Sequence, residues 1–340
     1  MKPETASKLA VSNALAAGKT YQYNDNHDET APEEIWFQES NEGEILFIVF
    51  YSLACRWSRC LGCNLPSRMA SRHIGYRAIM AQVDNLFRRP DVIAKKDAIR
   101  KIVVSNNGSI LDEATFSSTA LMYFIAQVNN HLKNLNAISI ETRPEYVDVA
   151  ELEFIARALS ESKRSVSLEI AIGFEAFDDH IRNDVFTKGL PLTAVEELLA
   201  SLSPYGFRLK AYFMQKPVPG MSDADAIEDI RRAIDYLSRM SDIHRVKINM
   251  HINPTYVASG TRLEEAFNKG EYSPPRLIDV ADAVRHARGK SVSVFVGLFD
   301  EGLAVKGGSF IRAGDEPVIQ TLELFNRTQD YDTLETLFAK

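Results

Sequence analysis

Several features that would assign a chain to a class at once are missing from this 340-residue sequence. No window approaches 18 uninterrupted apolar residues, so no membrane-spanning helix is expected. There is no internal repeat, low-complexity segment or long linker, and the composition (45% hydrophobic, 25% charged) excludes a disordered or fibrous chain. Ser and Asn interrupt the apolar residues near the N-terminus and Glu4 precedes them, which favours a soluble helix over a signal peptide. We therefore expect a cytoplasmic protein with reduced cysteines.

An excess of positive charge is also missing. The net charge is −7, whereas a general nucleic-acid-binding protein is usually basic. Residues 52–101 run against this trend, with eleven Lys or Arg and three Asp. Two interpretations of this stretch stay open: solvated helix faces, or an electropositive mouth that attracts an anionic substrate or cofactor.

Cysteine is scarce, but its three occurrences, Cys55, Cys60 and Cys63, lie within nine residues. An odd number in a reducing compartment argues against a disulfide framework. A structural zinc needs four ligands, so a fourth such as His73 would have to be recruited. Thiolates also hold iron–sulfur clusters, and three of them leave one iron of a [4Fe-4S] cluster open to a ligand from outside the protein. The cluster is favoured, and zinc remains the alternative.

The cysteines follow residues 43–52, GEILFIVFYS, an apolar run typical of a buried parallel strand. Six further strands alternate with helices, which predicts a parallel α/β architecture. The seven predicted strands are Gly43–Ser52, Arg100–Ser109, Asn136–Pro144, Ser165–Glu175, Phe207–Gln215, His244–Asn253 and Ser291–Phe299. Cysteines at the carboxyl end of the first strand occupy the position where β/α folds place their active sites.

A cysteine triad after the first barrel strand, followed by six β/α units, resembles the radical S-adenosylmethionine (SAM) enzymes. The strings SNNGSILDE, ETRPEY, IGFEAFDDHIRNDVFTKG and NPTYVASGTRLEEAF resemble the branch that includes the elongator-type catalytic subunit. They also look like the radical SAM subunit of archaeosine synthase, which finishes a modified tRNA base. The resemblance spans roughly residues 40–330. It departs from the superfamily at the cysteines, because the usual spacing is C-x3-C-x2-C and here it is C-x4-C-x2-C.

The resemblance implies a partial (β/α)6-type radical SAM barrel over residues 43–300. Residues 1–42 would form a helical and acidic lead-in, and residues 301–340 a C-terminal extension packed on the barrel. It further implies a [4Fe-4S] cluster, SAM, and an electron donor of the flavodoxin or ferredoxin type. The substrate would be a small molecule or a group attached to tRNA, and a partner protein could present it.

The same resemblance indicates which residues of this chain would bind SAM. Gly62 stands where relatives often carry an aromatic residue against the adenine, and Trp57 is a substitute stacking surface. Relatives have a Gly-Gly-Glu-like stretch after the second strand, whereas this chain has no Glu there, so carbonyls and Asn amides would serve; an ordinary Asn-Gly turn is the alternative. The expected SAM-binding residues are Trp57, Asn106, Asn107, Gly108, Ser109, Glu141, Arg143, Glu169, Glu175 and Arg182.

Two late strands carry the candidates for substrate contact, Lys210, Asn249 and His251. Lys210 and Tyr212 share one face by their two-residue spacing, as do Asn249 and His251 on the next strand. A polar face inside a barrel predicts a lined pocket; outer-face solvation is the alternative. For Glu169, a carboxylate within an apolar strand, the alternative to a ligand contact is an ion pair with Lys210.

The leading functional hypothesis is a radical SAM enzyme whose substrate is a modified tRNA base. Radical SAM tailoring of a small metabolite, including C–C, C–S or 3-amino-3-carboxypropyl chemistry, is the alternative within the enzymes. A zinc-stabilised binding scaffold is the alternative outside them.

Overall fold

One sheet of eight strands, hydrogen-bonded in sequence order, organises the chain. The computed structural model describes residues 2–161, 165–300 and 302–339, so the outermost residues of the expected lead-in and C-terminal extension lie outside it. The strands are β1 (Glu34–Ser40), β2 (Gly43–Val49), β3 (Ile99–Ser105), β4 (Ala137–Glu141), β5 (Ser167–Glu175), β6 (Arg208–Gln215), β7 (Ile248–Pro254) and β8 (Ser293–Val296). All neighbours from β2 to β8 run parallel, which confirms the predicted α/β class and the partial barrel.

Helices connect the parallel strands and cover the outer face of the sheet. They are α1 (Pro3–Ala16), α2 (Tyr76–Arg88), α3 (Pro90–Lys95), α4 (Ser118–His131), α5 (Val149–Ser160), α6 (Leu192–Leu202), α7 (Asp223–His244), α8 (Arg262–Asn268), α9 (Leu277–Arg285), α10 (Glu316–Thr328) and α11 (Tyr331–Glu335). The buried faces of these helices and the outward side chains of the strands form one large apolar core. None of the helices in the described part of the chain has both the length and the apolar character needed to cross a membrane.

Strand β1 was not predicted, because the acidic, turn-rich composition of residues 20–42 indicated only a lead-in. It pairs antiparallel with β2, and Trp36 lies opposite Phe47. Glu34 begins the strand, and six of its seven residues are partly buried while one is exposed. A partly exposed edge strand of this kind carries a weak apolar signal, and it adds a wall to the barrel.

Helix α10 covers the other edge of the sheet, at β8. The Asn326 side chain accepts a hydrogen bond from the Val296 N–H (2.9 Å) and donates one to the Val296 carbonyl (2.8 Å). Gln329 donates to the Val294 carbonyl (2.8 Å) and accepts from its N–H (3.3 Å). Two side-chain amides therefore replace the backbone partners of a missing strand. The barrel is sealed by a helix that also contacts β1.

A buried ionic cluster closes the barrel at the amino ends of its strands. Glu169 on β5 is fully buried and pairs with Lys101 (2.7 Å) and Arg208 (3.1 Å), and both cations also pair with Glu42. Burial alone would raise the pKa of Glu169, but Lys101 and Arg208 outweigh it and hold the pKa at about 2. The floor of the barrel is thus charged and internally paired.

Candidate active site

At the opposite, carboxyl ends of the strands the barrel opens into a cavity of about 310 Å³. This volume falls in the range of small-molecule sites, roughly 300–1,000 Å³. Cys55, Cys60 and Cys63 all line it, in the loop that directly follows β2. The cysteine loop therefore lies where the order of strands predicted, at the active-site end of a parallel barrel.

The donor set fits an iron–sulfur cluster. All three cysteines are free thiols. Burial raises the pKa of the Cys60 thiol above its usual value, and it raises the pKa of the Cys63 thiol to about 12. No three His, Cys, Asp or Glu side chains in the described residues are grouped to bind one metal ion. The ligands of a cluster each bind a different iron and so stand farther apart than the ligands of one ion. His73, the proposed fourth zinc ligand, does not line this cavity, which leaves the zinc alternative without support.

Gly108, in the loop after β3, lets the backbone pass close to the first cysteine. A Cβ at this position would lie 3.2 Å from the Cα of Cys55 and 3.3 Å from its Cβ. The preceding Asn107 has φ 53°, a left-handed conformation that Asn tolerates better than most residues. Both residues line the cavity, so the loop expected to receive part of SAM lies directly against the cysteine loop.

Trp57 and Arg143 form one wall of the cavity. The Arg143 guanidinium lies 4.4 Å from the centre of the Trp57 ring and donates to the carbonyls of Lys188 (3.0 Å) and Gly189 (3.3 Å). The indole N–H donates to the Thr187 carbonyl (2.8 Å). At Gly189 (φ +62°) a Cβ would lie 2.5 Å from the indole ring, so only glycine fits there. The wall is preorganised by the loop over residues 187–189.

Glu175 and Lys188 form an ion pair (2.7 Å) that lies across the backbone of Gly173. A Cβ on Gly173 would lie 2.3 Å from the Glu175 carboxylate and 2.4 Å from the Lys188 ammonium. Burial alone would lower the pKa of Lys188, but Glu175 and Cys60 raise it above its usual value. Lys188 lines the cavity and was not among the predicted residues; its only signal was its place in the string IRNDVFTKG.

Three further cavity-lining side chains, from β4, β6 and β7, lie close together. The Tyr212 hydroxyl donates to Glu141 (2.5 Å), and the ring of His251 lies 4.9 Å from that of Tyr212. Burial, with Lys210 and Lys101 nearby, holds the pKa of His251 well below its usual value, so the imidazole is neutral. Its Nδ1 is buried and unpartnered within the described part of the chain, which suits a site completed by a bound molecule.

The structure brings seven of the predicted non-cysteine residues to this cavity. They are Trp57, Asn107, Gly108, Glu141, Arg143, Glu175 and His251. Asn106 and Ser109 instead lie buried behind it. The Asn106 amide donates to the Ser52 hydroxyl (3.0 Å), and the Ser109 hydroxyl accepts from the Arg143 N–H (3.2 Å). These two support the loop from behind.

The structure places Arg182, Glu169, Lys210 and Asn249 away from this cavity. The fully buried Arg182 donates to the carbonyls of Leu190, Ala176 and Phe177, so it fixes a chain turn and is closed to a ligand. Glu169 belongs to the ionic floor, and the buried Lys210 lies beside it. Asn249 bonds Ser293 (2.9 Å) near the amino ends of the strands, where it lines a separate small pocket. Polar residues on one face of a barrel strand can lie at the floor or at the cavity end of the barrel. Their spacing in the sequence does not show which end each one occupies.

The basic stretch over residues 52–101 does not form an electropositive mouth. Seven of its eleven cations pair with carboxylates, for example Arg56 with Asp112 and Lys95 with Glu44. Of the eleven, all of them in the described part of the chain, Arg68 alone lines the cavity. Solvated helix faces describe part of the stretch, such as the exposed Arg88 of α2, whereas Lys101 on β3 is buried in the ionic floor.

No protein-family model matches the chain. It is 27% identical over 295 residues to archaeosine synthase subunit beta of Methanosarcina acetivorans, covering 86% of this chain and 81% of that one. It is 23% identical over 312 residues to the protein of the same name from Thermococcus kodakarensis, covering 89% and 92%. Among solved structures, Elp3 of Methanocaldococcus infernus has a TM-score of 0.51 at 16% identity, covering 73% of this chain and 58% of that one.

A parallel half-barrel with a three-cysteine loop at its carboxyl end is the arrangement that the resemblance to the radical SAM enzymes predicted, and the chain shares this fold with Elp3.

Arg143→Ala is expected to weaken SAM binding about 10-fold or more while iron loading stays intact, because the Trp57 wall loses the charged hydrogen bonds that hold it to the 187–189 loop. The guanidinium holds the wall of Trp57 and the 187–189 loop but contacts none of the cysteines in the described hydrogen bonds. Isothermal titration of the reconstituted protein with SAM measures it, with Arg157→Ala, an exposed cation on α5, as control. Unchanged SAM affinity in Arg143→Ala would remove this residue from the site.

Proposed function

We propose that this enzyme carries out a radical SAM reaction on a modified base of tRNA, together with a partner subunit. The observation that carries the proposal is that three cysteine thiols share one cavity with an aromatic wall. Two sequence relatives named archaeosine synthase subunit beta support the choice of substrate and the need for a partner. The proposal also implies a cytoplasmic location, where thiols stay reduced.

The aromatic wall is built by β1 and β2. Trp36 stacks on Phe47 with ring centres 4.0 Å apart and an angle of 12° between the planes. Glu34, Trp36 and Gln38 alternate along β1, and all three line the cavity. An aromatic face flanked by an amide and a carboxylate can stack a flat base and hydrogen-bond its edge, as proteins that read unpaired RNA bases do.

Different sides of the cavity have different roles in this proposal. Cys55, Cys60 and Cys63 hold the cluster, and the wall of Trp57 and Arg143 with the Asn107–Gly108 loop receives SAM. When bound, cluster and SAM supply the one-electron cleavage of SAM and the abstraction of a hydrogen atom from the substrate. An external donor of the flavodoxin or ferredoxin type delivers the electron.

The side chains from β4, β6 and β7 orient the substrate and exclude water. Tyr212, fixed by Glu141, and the neutral His251 offer hydrogen-bonding groups in the cavity. Val49, Phe47 and Met214 line it with apolar surface, which keeps water from a reactive centre.

Charge explains why a partner is needed. The net charge is −7 and most cations of the basic stretch are paired, so attraction to a phosphate backbone has to come from another subunit. The same observation favours the alternative, tailoring of a small metabolite, and the test separates the two.

Anaerobically reconstituted enzyme is assayed for release of 5′-deoxyadenosine with SAM and reductant. We expect tRNA carrying an archaeosine precursor to stimulate release, and unmodified tRNA not to. Trp36→Leu should raise the KM for that tRNA about 5- to 100-fold, the stacking energy of one base, while Trp36→Phe keeps most of the affinity. Stimulation by a small metabolite but by no tRNA would favour the alternative, and no release from a SAM-binding, cluster-loaded enzyme under any condition would contradict both.

A further inference from the structure

A lysine from the N-terminal segment, outside the predicted site, reaches into the cysteine loop. The Lys19 ammonium donates to the carbonyl oxygens of Cys60 (2.6 Å), Leu61 (3.0 Å) and Cys63 (2.8 Å). An ammonium has three N–H donors, so the loop backbone uses all of them. Lys19 is only 5% exposed, which is rare for a lysine unless it is held by partners.

The end of helix α1 fixes the position of this lysine. Gly18 has φ +73°, and its N–H donates to the Leu15 carbonyl (3.0 Å) while the Lys19 N–H donates to the Ala14 carbonyl (3.0 Å). These two bonds form a Schellman motif, which ends the helix and turns the chain sharply. The next residue, Thr20, donates its N–H to the Gly260 carbonyl (3.1 Å), so Lys19 is held on both sides.

The same helix holds the first half of the cysteine loop. The Asn13 side chain, 7% exposed, donates to the Arg56 carbonyl (2.7 Å) and accepts from the Arg59 guanidinium (2.7 Å). Asn13 thus fixes the chain between the first two cysteines, and Lys19 fixes it from Cys60 to Cys63. The loop otherwise has little regular structure to hold it.

Burying an ammonium is costly unless opposite charge or several acceptors compensate it. Here three carbonyls accept its protons, and two of them belong to cysteines whose thiols line the cavity. If those sulfurs bind iron as thiolates, the positive charge lies beside the most negative part of the site. Such outer contacts orient metal ligands and tune the metal.

We propose that Lys19 is a positioning residue for the iron–sulfur loop. It holds the backbone from Cys60 to Cys63 so that both thiols face the cavity, and its charge stabilises the reduced form of the cluster. The proposal rests on the proposed function only in that the loop carries a cluster.

The test compares Lys19→Met and Lys19→Arg with Lys8→Met, a matched control at an exposed position of the same helix. Iron per chain is measured after reconstitution and after a chelator challenge, and the midpoint potential of the cluster is measured by redox titration followed by electron paramagnetic resonance. Lys19→Met should lose iron to the chelator about 10-fold more readily. Its remaining cluster should have a more negative midpoint potential, because the reduced state loses a neighbouring cation. Lys19→Arg should keep the wild-type potential, and Lys8→Met should match wild type in both.

Wild-type iron retention together with a wild-type potential in Lys19→Met would overturn the role of Lys19 and leave the proposed function standing. Failure of the wild-type protein itself to take up iron would refute the proposed function instead. Thermal unfolding of each iron-free variant shows whether it folds. Should Lys19→Met not fold, Lys19→Gln decides, because it keeps two N–H donors and loses the charge: a more negative midpoint potential supports the proposal, and a wild-type potential with wild-type iron retention overturns it.

Discussion

Replacing Cys55, Cys60 or Cys63 by alanine is expected to abolish SAM cleavage. Each thiol lines the same cavity and no further cysteine exists in the chain, so no substitute ligand of that type is at hand. A [4Fe-4S] cluster held by two thiolates loses one of its three protein anchors, and iron retention should fall to a small fraction of the wild-type value. Iron analysis and release of 5′-deoxyadenosine under anaerobic conditions measure the effect.

The cysteine variants should keep their fold, which separates loss of the cluster from loss of structure. The loop is additionally held by Asn13, Lys19 and the Trp57–Thr187 hydrogen bond, none of which involves a cysteine side chain. Far-ultraviolet circular dichroism and thermal unfolding of the iron-free proteins check this. Wild-type iron content in all three variants would show that the cysteines are not the ligands.

Glu169→Gln is expected to lower the free energy of unfolding by about 3–5 kcal/mol, the cost of removing one partner from a buried ion pair. The carboxylate pairs with Lys101 and Arg208, and the amide would leave both cations with Glu42 alone. Urea unfolding measures the change, with Glu153→Gln on the exposed face of α5 as control. Affinity for SAM should not change, since Glu169 lies in the floor of the barrel. A change within about 0.5 kcal/mol, typical of surface substitutions, would contradict this account of the floor.

The pH dependence of the free energy of unfolding tests the same prediction in a second way. The pKa of Glu169 is about 2 in the folded chain, against an ordinary value of 4.5. A depressed pKa stabilises the folded state fully above the ordinary value, and that stabilisation is lost as the pH falls through the window from 4.5 to 2. The difference in stability between wild type and Glu169→Gln should therefore shrink across that window.

The seven parallel strands were predictable because each is a short apolar run between turn signals. Strand β1 was not, since a half-exposed edge strand that begins with Glu34 has little apolar signal. Burial of a carboxylate in an apolar strand indicated correctly that Glu169 needs a partner. The partners are protein cations and not a ligand, Lys101 on β3 and Arg208 on β6, and the sequence did not identify them.

The cysteine loop was predictable because its three cysteines lie within nine residues of the sequence, directly after an apolar strand. Lys19 and Lys188 were not, because their roles depend on contacts formed only in the fold. Lys19 reaches a loop more than 40 residues away, and Lys188 is held over Gly173 by Glu175. Similarly, the depth of Lys210 and Asn249 within the barrel depends on where each strand begins, which alternation does not encode.

The proposed function requires that three cysteine thiols of one loop hold a cluster with an iron open to SAM. Electron paramagnetic resonance of the anaerobically reconstituted, dithionite-reduced wild-type protein, recorded with and without SAM, tests it most directly. The account predicts about four irons per chain and a cluster signal that changes when SAM is added. A protein that stays free of iron after reconstitution, or a cluster signal that SAM leaves unchanged, would contradict it.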